Sequence, residues 1–545
     1  MAWPDDFDAP LRREAHFGGR VVRCFADRPN DIDARFRAVA AQHGAREALV
    51  LDETRLSYRE LDRAVAAVAG NLAARYGIGV GDRVALYSGN CVEFVTIVLA
   101  CARLGAISVP LGHRLQTPEL EYMIGHSGAK LLAVEAALAD RVPARAALPD
   151  LAAVVAFEGD APGCDPFASL LAPASTPVSA PDIDEESVAA ILYTSGTTGR
   201  PKGATLTHFN IIHTVLHYQH CMGMNETDRT LTAVPITHVT GMVAQLLALL
   251  NVGGCVVMMR EFKARAALEL TARERITHSI MVPAMYNLML REPDFDDFDL
   301  SAMKMGGFGG APMPEATIAE LQRRLPNLTL RNAYGATETT SPTTIMPPGR
   351  ISDHRHTVGL PVPCADVVVV DEKGREVPIG ETGEIWIAGP MVVPGYWDNP
   401  EANASEFTGG YWHSGDIGRL DADGYLEIRD RIKDMINRGG YKVFSAEVEN
   451  VLTQHPAVAE CAVVGRPDPV LGERVHAFVV PAFDAPDGEA FSAQAVRRYC
   501  AERLADYKVP EAYTTVDGAL PRNANGKIMK PELRRRAIAE AGARD

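Results

Sequence analysis

The chain has 545 residues, too many for one ordinary core and enough for about three or four packed units. At 47% hydrophobic and 23% charged it has the composition of a soluble globular protein, which excludes a disordered or fibrous chain. Lys and Arg number 54 against 70 Asp and Glu, a formal net charge of -16 that argues against nucleic acid or anionic lipid as main partner. Nine cysteines run from Cys24 to Cys500 with no C-x-x-C pair, which points away from a disulfide framework or zinc site and toward reduced thiols. The start of the chain lacks the basic-then-apolar order of a signal peptide, and its end is no peroxisomal address. The most apolar stretches, 94–109 and 242–259, are interrupted by Arg103 or by Gln245 and Asn251, so no membrane span is expected. A cytoplasmic location is the expectation.

In chain order, Ser57-Tyr-Arg-Glu60 is a capping-box pattern, and Leu61, Val65, Val68 and Leu72 behind it share a helical face. That helix is expected to end near Gly77, before a strand over 84–87. A helix over 94–102 and a strand over 106–110 repeat the order, predicting an α/β sheet with helices on its faces. Residues 135–187, dominated by Ala, Pro, Asp and Ser, read as weakly ordered connection and helix. The apolar run 188–193 then feeds Tyr193-Thr-Ser-Gly-Thr-Thr-Gly-Arg-Pro-Lys-Gly-Ala204. This reads as a buried strand entering a loop whose N–H groups and hydroxyls can close on a polyphosphate, with Lys202 as a point charge. It is not the common P-loop: two residues separate Gly196 from Gly199, and Gly203 follows the lysine. A second α/β stretch continues to about 345. Strands at 367–370 and 384–388, set between Asp-Glu-Lys-Gly and Gly-Glu-Thr-Gly turns, suggest a small β-rich subdomain. From Asp430 a charged segment leads into an α+β tail with helices at 446–452 and 493–503, strands at 458–464 and 475–480, and a basic terminal helix.

Further segments carry chemistry. In Asn332-Ala-Tyr-Gly-Ala-Thr-Glu-Thr339, Glu338 suits Mg²⁺, a hard cation that takes oxygen ligands, while Thr337 and Thr339 offer hydroxyls. In Tyr411-Trp-His-Ser-Gly-Asp416 a carboxylate after a tight turn can accept two hydrogen bonds from a ribose diol. By themselves the charged run Arg429-Asp-Arg-Ile-Lys-Asp434 reads as a solvated face, and Lys527 in Pro521-Arg-Asn-Ala-Asn-Gly-Lys527 as an inert surface charge. The glycines of Met305-Gly-Gly-Phe-Gly-Gly-Ala-Pro312 either leave room for a wide ligand or allow tight strand packing. His238, in Val234-Pro-Ile-Thr-His238, is either a ligand contact or a bonded core histidine.

These segments, in this order over about residues 35–535, resemble those of the adenylate-forming superfamily, in its acyl-CoA synthetase and acid–CoA ligase branch. The resemblance implies a large N-terminal body, 1–432, of two α/β sheet subdomains plus a small β-barrel-like subdomain, and a mobile small α+β C-terminal domain, 433–545. It implies ATP-driven activation of a carboxylic acid to an acyl-adenylate with Mg²⁺ and then transfer to CoA. Thr194, Ser195, Gly196, Thr197, Thr198, Gly199 and Lys202 would take the phosphates, with Thr194 and Glu338 on the metal. Gly310, Ala311, Asn332, Tyr334, Gly335, Thr337 and Thr339 would line the nucleotide site, with Tyr334 against adenine, and Asp416 and Arg431 would hold the ribose. Lys433 would be the hinge, Gly439 and Gly440 the CoA tunnel, and Lys527, Glu338 and His238 the catalytic groups. His238, Val239, Gly307 and Gly309 would line the acyl pocket. Ser414 stands where most relatives have Thr, and Asn437 where luciferases have Lys. Because Ile236, Val239, Met242 and Phe308 are apolar, the expected substrate is a hydrophobic monocarboxylate, aryl or fatty. Two other readings are open: a free-standing adenylation enzyme that loads a carrier protein, and a nucleotide-binding regulator without turnover. The expected partners are the acid, ATP and CoA, with no nucleic acid; a homodimer is compatible with this reading.

Overall fold

The computed structural model describes residues 3, 7, 9–173, 181–194, 200–482, 491–522 and 528–542. The chain divides into two compact units: Met1–Val367, Trp386–His413 and Asp423–Leu426 form the first, and Val368–Ile385, Ser414–Ala422 and Glu427–Asp545 the second.

In the first unit the helix Tyr58–Tyr76 starts as its capping box dictates, Ser57 accepting from the Glu60 N–H and Glu60 reaching back to Ser57. It stops at Gly77, whose φ of 63° supplies the left-handed cap. Leu61, Val65, Val68 and Leu72 are all 0% exposed, each contributing roughly 1.5–3 kcal/mol of burial. A seven-stranded sheet runs in the order Lys202–Thr207, Val188–Thr194, Ile107–Gly112, Arg83–Ser88, Leu131–Glu135, Ala153–Phe157, Asp165–Pro166. All its neighbours are parallel except the first two, which form a hairpin. Ala153–Phe157 corrects the expectation of connection and helix there: Ala-Val-Val-Ala-Phe is a short apolar run that pairs with Leu131–Glu135.

A nine-stranded sheet runs Leu360–Pro361, Thr344–Ile345, Thr329–Tyr334, Met305–Phe308, His278–Met281, Arg229–Thr232, Cys255–Met258, Glu47–Leu51, Thr54–Ser57. It is parallel through its middle and antiparallel at both ends. One hydrophobic cluster joins both sheets to the helices Ile32–His43, Val92–Leu104 and His208–Met222 and the π-helix Thr240–Leu247. The expected β-rich subdomain is a five-stranded sheet built from Asp366–Val370, Gly383–Ala388, Tyr411–Leu420, Phe407–Thr408 and Leu426–Arg431.

The second unit contains the sheet Tyr441–Val443, Ile436–Arg438, Gly472–Pro481, Val458–Asp468, with Ala512–Thr515 parallel to Gly472–Pro481. Strand alternation sends Val463, Val475, Ala477 and Val479 against the helices Ser445–Leu452 and Ala493–Ala501. It sends Ala462, Val464 and Phe478 against Lys530–Gly542. Among the described residues no helix is long and apolar enough to cross a membrane.

Candidate active site

The strands Val188–Thr194 and Lys202–Thr207 form an antiparallel hairpin that pairs Thr194 with Lys202. The Thr194 hydroxyl donates to the Lys202 carbonyl at 3.4 Å. Strands therefore stand on both sides of the expected phosphate loop, and Lys202 opens the second of them. Ser195, Gly196, Thr197, Thr198 and Gly199 lie outside the described residues. Gly203 must be glycine, since a Cβ there would sit 2.7 Å from Ile191. The outer edge of the hairpin is covered by the segment around Tyr396: Ala204 bridges to Tyr396, Thr205 donates to the Gly395 carbonyl and Trp397 N–H to the Gly203 carbonyl. Asn403, on the helix Pro400–Glu406, clasps the Tyr396 backbone, accepting from its N–H at 2.6 Å and donating to its carbonyl at 3.0 Å.

This covering places two side chains, Tyr396 and Glu406, against Lys202. Its Nζ lies 2.5 Å from both Glu406 carboxylate oxygens and 3.3 Å from the Tyr396 hydroxyl, and it stands 4.3 Å from the centre of the Tyr396 ring. The Tyr396 Oη in turn is 3.0 Å from Glu338 Oε1 and 2.7 Å from Glu406 Oε2. Glu338 is 7% exposed. Burial pushes its carboxyl up, while the Tyr396 bond and the Lys202 charge pull against that rise. Burial, then the Glu338 charge, pushes the Tyr396 phenol far above its ordinary range.

Glu338 reaches this point from the strand Thr329–Tyr334 through a tight turn. Thr343 N–H returns to the Tyr334 carbonyl, and Val393 N–H donates to the Glu338 carbonyl at 2.9 Å. Thr340 and Ser341 adopt left-handed φ of 51° and 45°, a strain of about 1–3 kcal/mol each. Thr339 is fully buried, and its hydroxyl is taken up inside the turn, accepting from Ala336 N–H at 2.9 Å and donating to the Ala336 carbonyl at 3.2 Å. Of the two expected hydroxyls, the half-buried Thr337 is the more accessible. Tyr334 and Asn332 are half-buried, Asn332 donating to the Thr357 carbonyl at 3.3 Å, and Gly335 is exposed.

The glycines before Pro312 serve strand packing. A Cβ at Gly307 would lie 2.8 Å from Ile280 Cγ1, and one at Gly309 only 2.3 Å from the Ala333 carbonyl oxygen. Gly310, with φ 77°, and Ala311 are exposed. His238 is half-buried and Val239 buried, immediately ahead of the π-helix Thr240–Leu247. Gly241 lets that helix begin, because a Cβ there would meet the Pro235 carbonyl at 2.2 Å.

In the second unit Asp416, 6% exposed, pairs with Arg431 across 3.1 Å. Ser414 supplies the hydroxyl that a threonine would: it donates to the Ile385 carbonyl at 2.7 Å and accepts from the Asp416 N–H at 3.0 Å. Lys433 is exposed, and its carbonyl accepts from Arg534 at 3.2 Å. Gly439 and Gly440, with φ of 60° and 89°, are the two central residues of the hairpin joining Ile436–Arg438 to Tyr441–Val443. Among the described residues, apart from its chain neighbours, nothing lies within 4 Å of a Cβ at Gly440, so conformation rather than crowding calls for glycine there. Lys527 lies outside the described residues. The sequence reading passed over Tyr396 and Glu406, and Gly-Tyr-Trp and Ser-Glu-Phe carry no motif that would single them out.

The AMP-binding enzyme family model matches residues 36–397, and the model of its C-terminal domain matches 447–527. The chain belongs to the AMP-binding enzyme family. It is 37% identical over 499 residues to a feruloyl-CoA synthase of an Amycolatopsis species, covering 92% of this chain and 96% of that one. It is 36% identical to the fatty acid–[acyl-carrier-protein] ligase ScoC of Streptomyces coeruleorubidus, covering 91% and 94%. The structure of the anthranilate CoA ligase AuaEII with anthranoyl-AMP superimposes with a TM-score of 0.87 at 28% identity, covering 94% of this chain and 99% of that one. As a member of this family the chain is an acid-activating ligase of the acyl-CoA synthetase type.

Proposed function

We propose that the protein is an ATP-dependent acid–CoA ligase for a hydrophobic monocarboxylic acid, aryl or fatty. The acid's carboxylate attacks the α-phosphorus of ATP to give acyl-AMP and pyrophosphate, and the CoA thiol then displaces AMP. The observation that carries this reading is the meeting of Lys202 and Glu338, from distant parts of the chain, on the Tyr396 hydroxyl at the base of the hairpin. Lys202, Thr194 and the loop 195–199 bind phosphates, and Thr337 faces the α-phosphate. The Glu338 carboxylate and Thr194 hydroxyl would hold Mg²⁺ through oxygen donors that suit a hard cation, and the ion would neutralise phosphate charge. Asp416 and Arg431 bind the ribose; Tyr334, with Asn332, Gly335, Gly310 and Ala311, borders the adenine. His238 and Val239 border the acid. Lys527 stabilises charge at the α-phosphorus, with Lys433 as the pivot between a body, 1–432, and a tail, 433–545. Gly439 and Gly440 flank the pantetheine arm of CoA.

The preference for a hydrophobic acid rests on Ile236, Val239, Met242 and Phe308, all buried. A pyrophosphate-release screen over fatty, cinnamic, benzoic and short branched acids tests it; release with dicarboxylates or amino acids alone would overturn it. A second reading, delivery of the acyl group to a carrier protein, draws on the ScoC relative. Offering CoA and a phosphopantetheinylated carrier side by side separates the two acceptors.

A further inference from the structure

The lysine that the phosphates need is already held by a carboxylate. Lys202 Nζ sits 2.5 Å from both oxygens of Glu406, and its side chain is 14% exposed. Tyr396 has one phenolic proton, yet its oxygen stands within hydrogen-bond distance of both Glu338 and Glu406. The cluster therefore has more acceptors than donors and carries two carboxylates against one ammonium. A polyanionic nucleotide entering here meets a cation whose charge is already matched.

The two carboxylates are not equivalent. Glu338 is 7% exposed, and its backbone carbonyl is fixed by Val393. The Glu406 side chain is 34% exposed and ends the helix Pro400–Glu406, so it can turn to water at small cost. Tyr396 keeps the ammonium near its ring face when the carboxylate leaves.

We propose that Glu406 is a positioning residue that sets the affinity of the site for nucleotide. It holds Lys202 in the resting enzyme, yields it to the incoming phosphates and recaptures it as pyrophosphate departs. The proposal rests on ATP being the ligand of this site. Breaking a partly buried ion pair weakens ATP binding, and re-forming it hastens product release, so Glu406 trades affinity for turnover. Nothing in the phosphate-loop motif itself encodes this contact, because Glu406 lies 204 positions from Lys202.

The test is calorimetric titration of MgATP, without acid, into wild type, Glu406→Gln, Glu406→Ala and Glu406→Asp, with melting curves to verify folding. Glu406→Gln and Glu406→Ala are expected to bind MgATP about 3- to 30-fold more tightly. Glu406→Asp, which keeps the charge, is expected to return toward wild-type affinity. In turnover, Glu406→Gln is expected to lower KM for ATP and kcat together, with slower pyrophosphate release, whereas loss of mere structural support would raise KM. Unchanged or weaker MgATP binding by folded Glu406→Gln and Glu406→Ala would overturn the proposal alone. Failure of the wild type to bind MgATP would overturn the nucleotide reading and the proposal with it.

Discussion

Removing the Asp416 carboxylate separates nucleotide binding from folding. Its side chain is 8% exposed, whereas that of its partner Arg431 is 48% exposed. Discounted for that exposure, the pair contributes no more than about 1 kcal/mol to stability. A ribose diol donating two hydrogen bonds to the carboxylate gains about 1.5–3 kcal/mol for each, or roughly 3–6 kcal/mol in all. Asp416→Ala should therefore weaken MgATP binding by about 10²–10⁴-fold while shifting the melting temperature little. Calorimetry with ATP and 2′,3′-dideoxy-ATP closes the cycle. Wild type should prefer ATP by a factor in that range, and Asp416→Ala should treat the two nucleotides nearly alike. A variant that still discriminates between them would refute the assignment of the ribose to Asp416.

Other substitutions probe separate parts of the account. Lys527→Ala should slow acyl-AMP formation by about 10²–10³-fold and leave CoA attack on supplied acyl-AMP nearly intact, and equal loss in both half-reactions would reject its role in the first alone. Because burial raises the Glu338 carboxyl, the folded state binds that proton more tightly than the unfolded one, and this term loses stability as pH rises through the window above the ordinary glutamate range. Glu338→Gln has no such ionisation, so its melting temperature should gain on wild type with rising pH across that window; a pH-independent difference would contradict the burial argument. Gly309→Ala would force a Cβ to within 2.3 Å of the Ala333 carbonyl and should cost about 1–3 kcal/mol or more, read from urea midpoints. Gly440→Leu should block thioester formation while ATP–pyrophosphate exchange survives, and loss of exchange as well would reject a role confined to CoA.

The parts of the fold that a sequence exposes are those where local chemistry decides. Ser57 and Glu60 close their box within four residues, and Gly77 ends the helix through its own φ, so both could be read in advance. Strands such as Arg83–Ser88 announce themselves between turn signals. Ala153–Phe157 did not, because five apolar residues have no period that separates strand from helix, and only pairing with Leu131–Glu135 decides. The π-helix Thr240–Leu247 is equally silent: its apolar run would suit an α-helix. Lys202, Glu338 and Asp416 stood out because each belongs to a compact motif, whereas Arg431 was singled out only by the resemblance. Tyr396 and Glu406 reach Lys202 through hairpin-edge pairing and an asparagine clasp, contacts of high sequence separation that no local pattern records.

The most direct measurement follows the fate of the nucleotide: the protein with MgATP and CoA, a panel of hydrophobic acids offered one at a time, and all products resolved by mass. At least one acid should yield AMP, pyrophosphate and its CoA thioester in equal amounts, with the acyl-adenylate accumulating when CoA is withheld. ATP recovered intact or as ADP with every acid, from protein that demonstrably binds it, would contradict acid activation at this site.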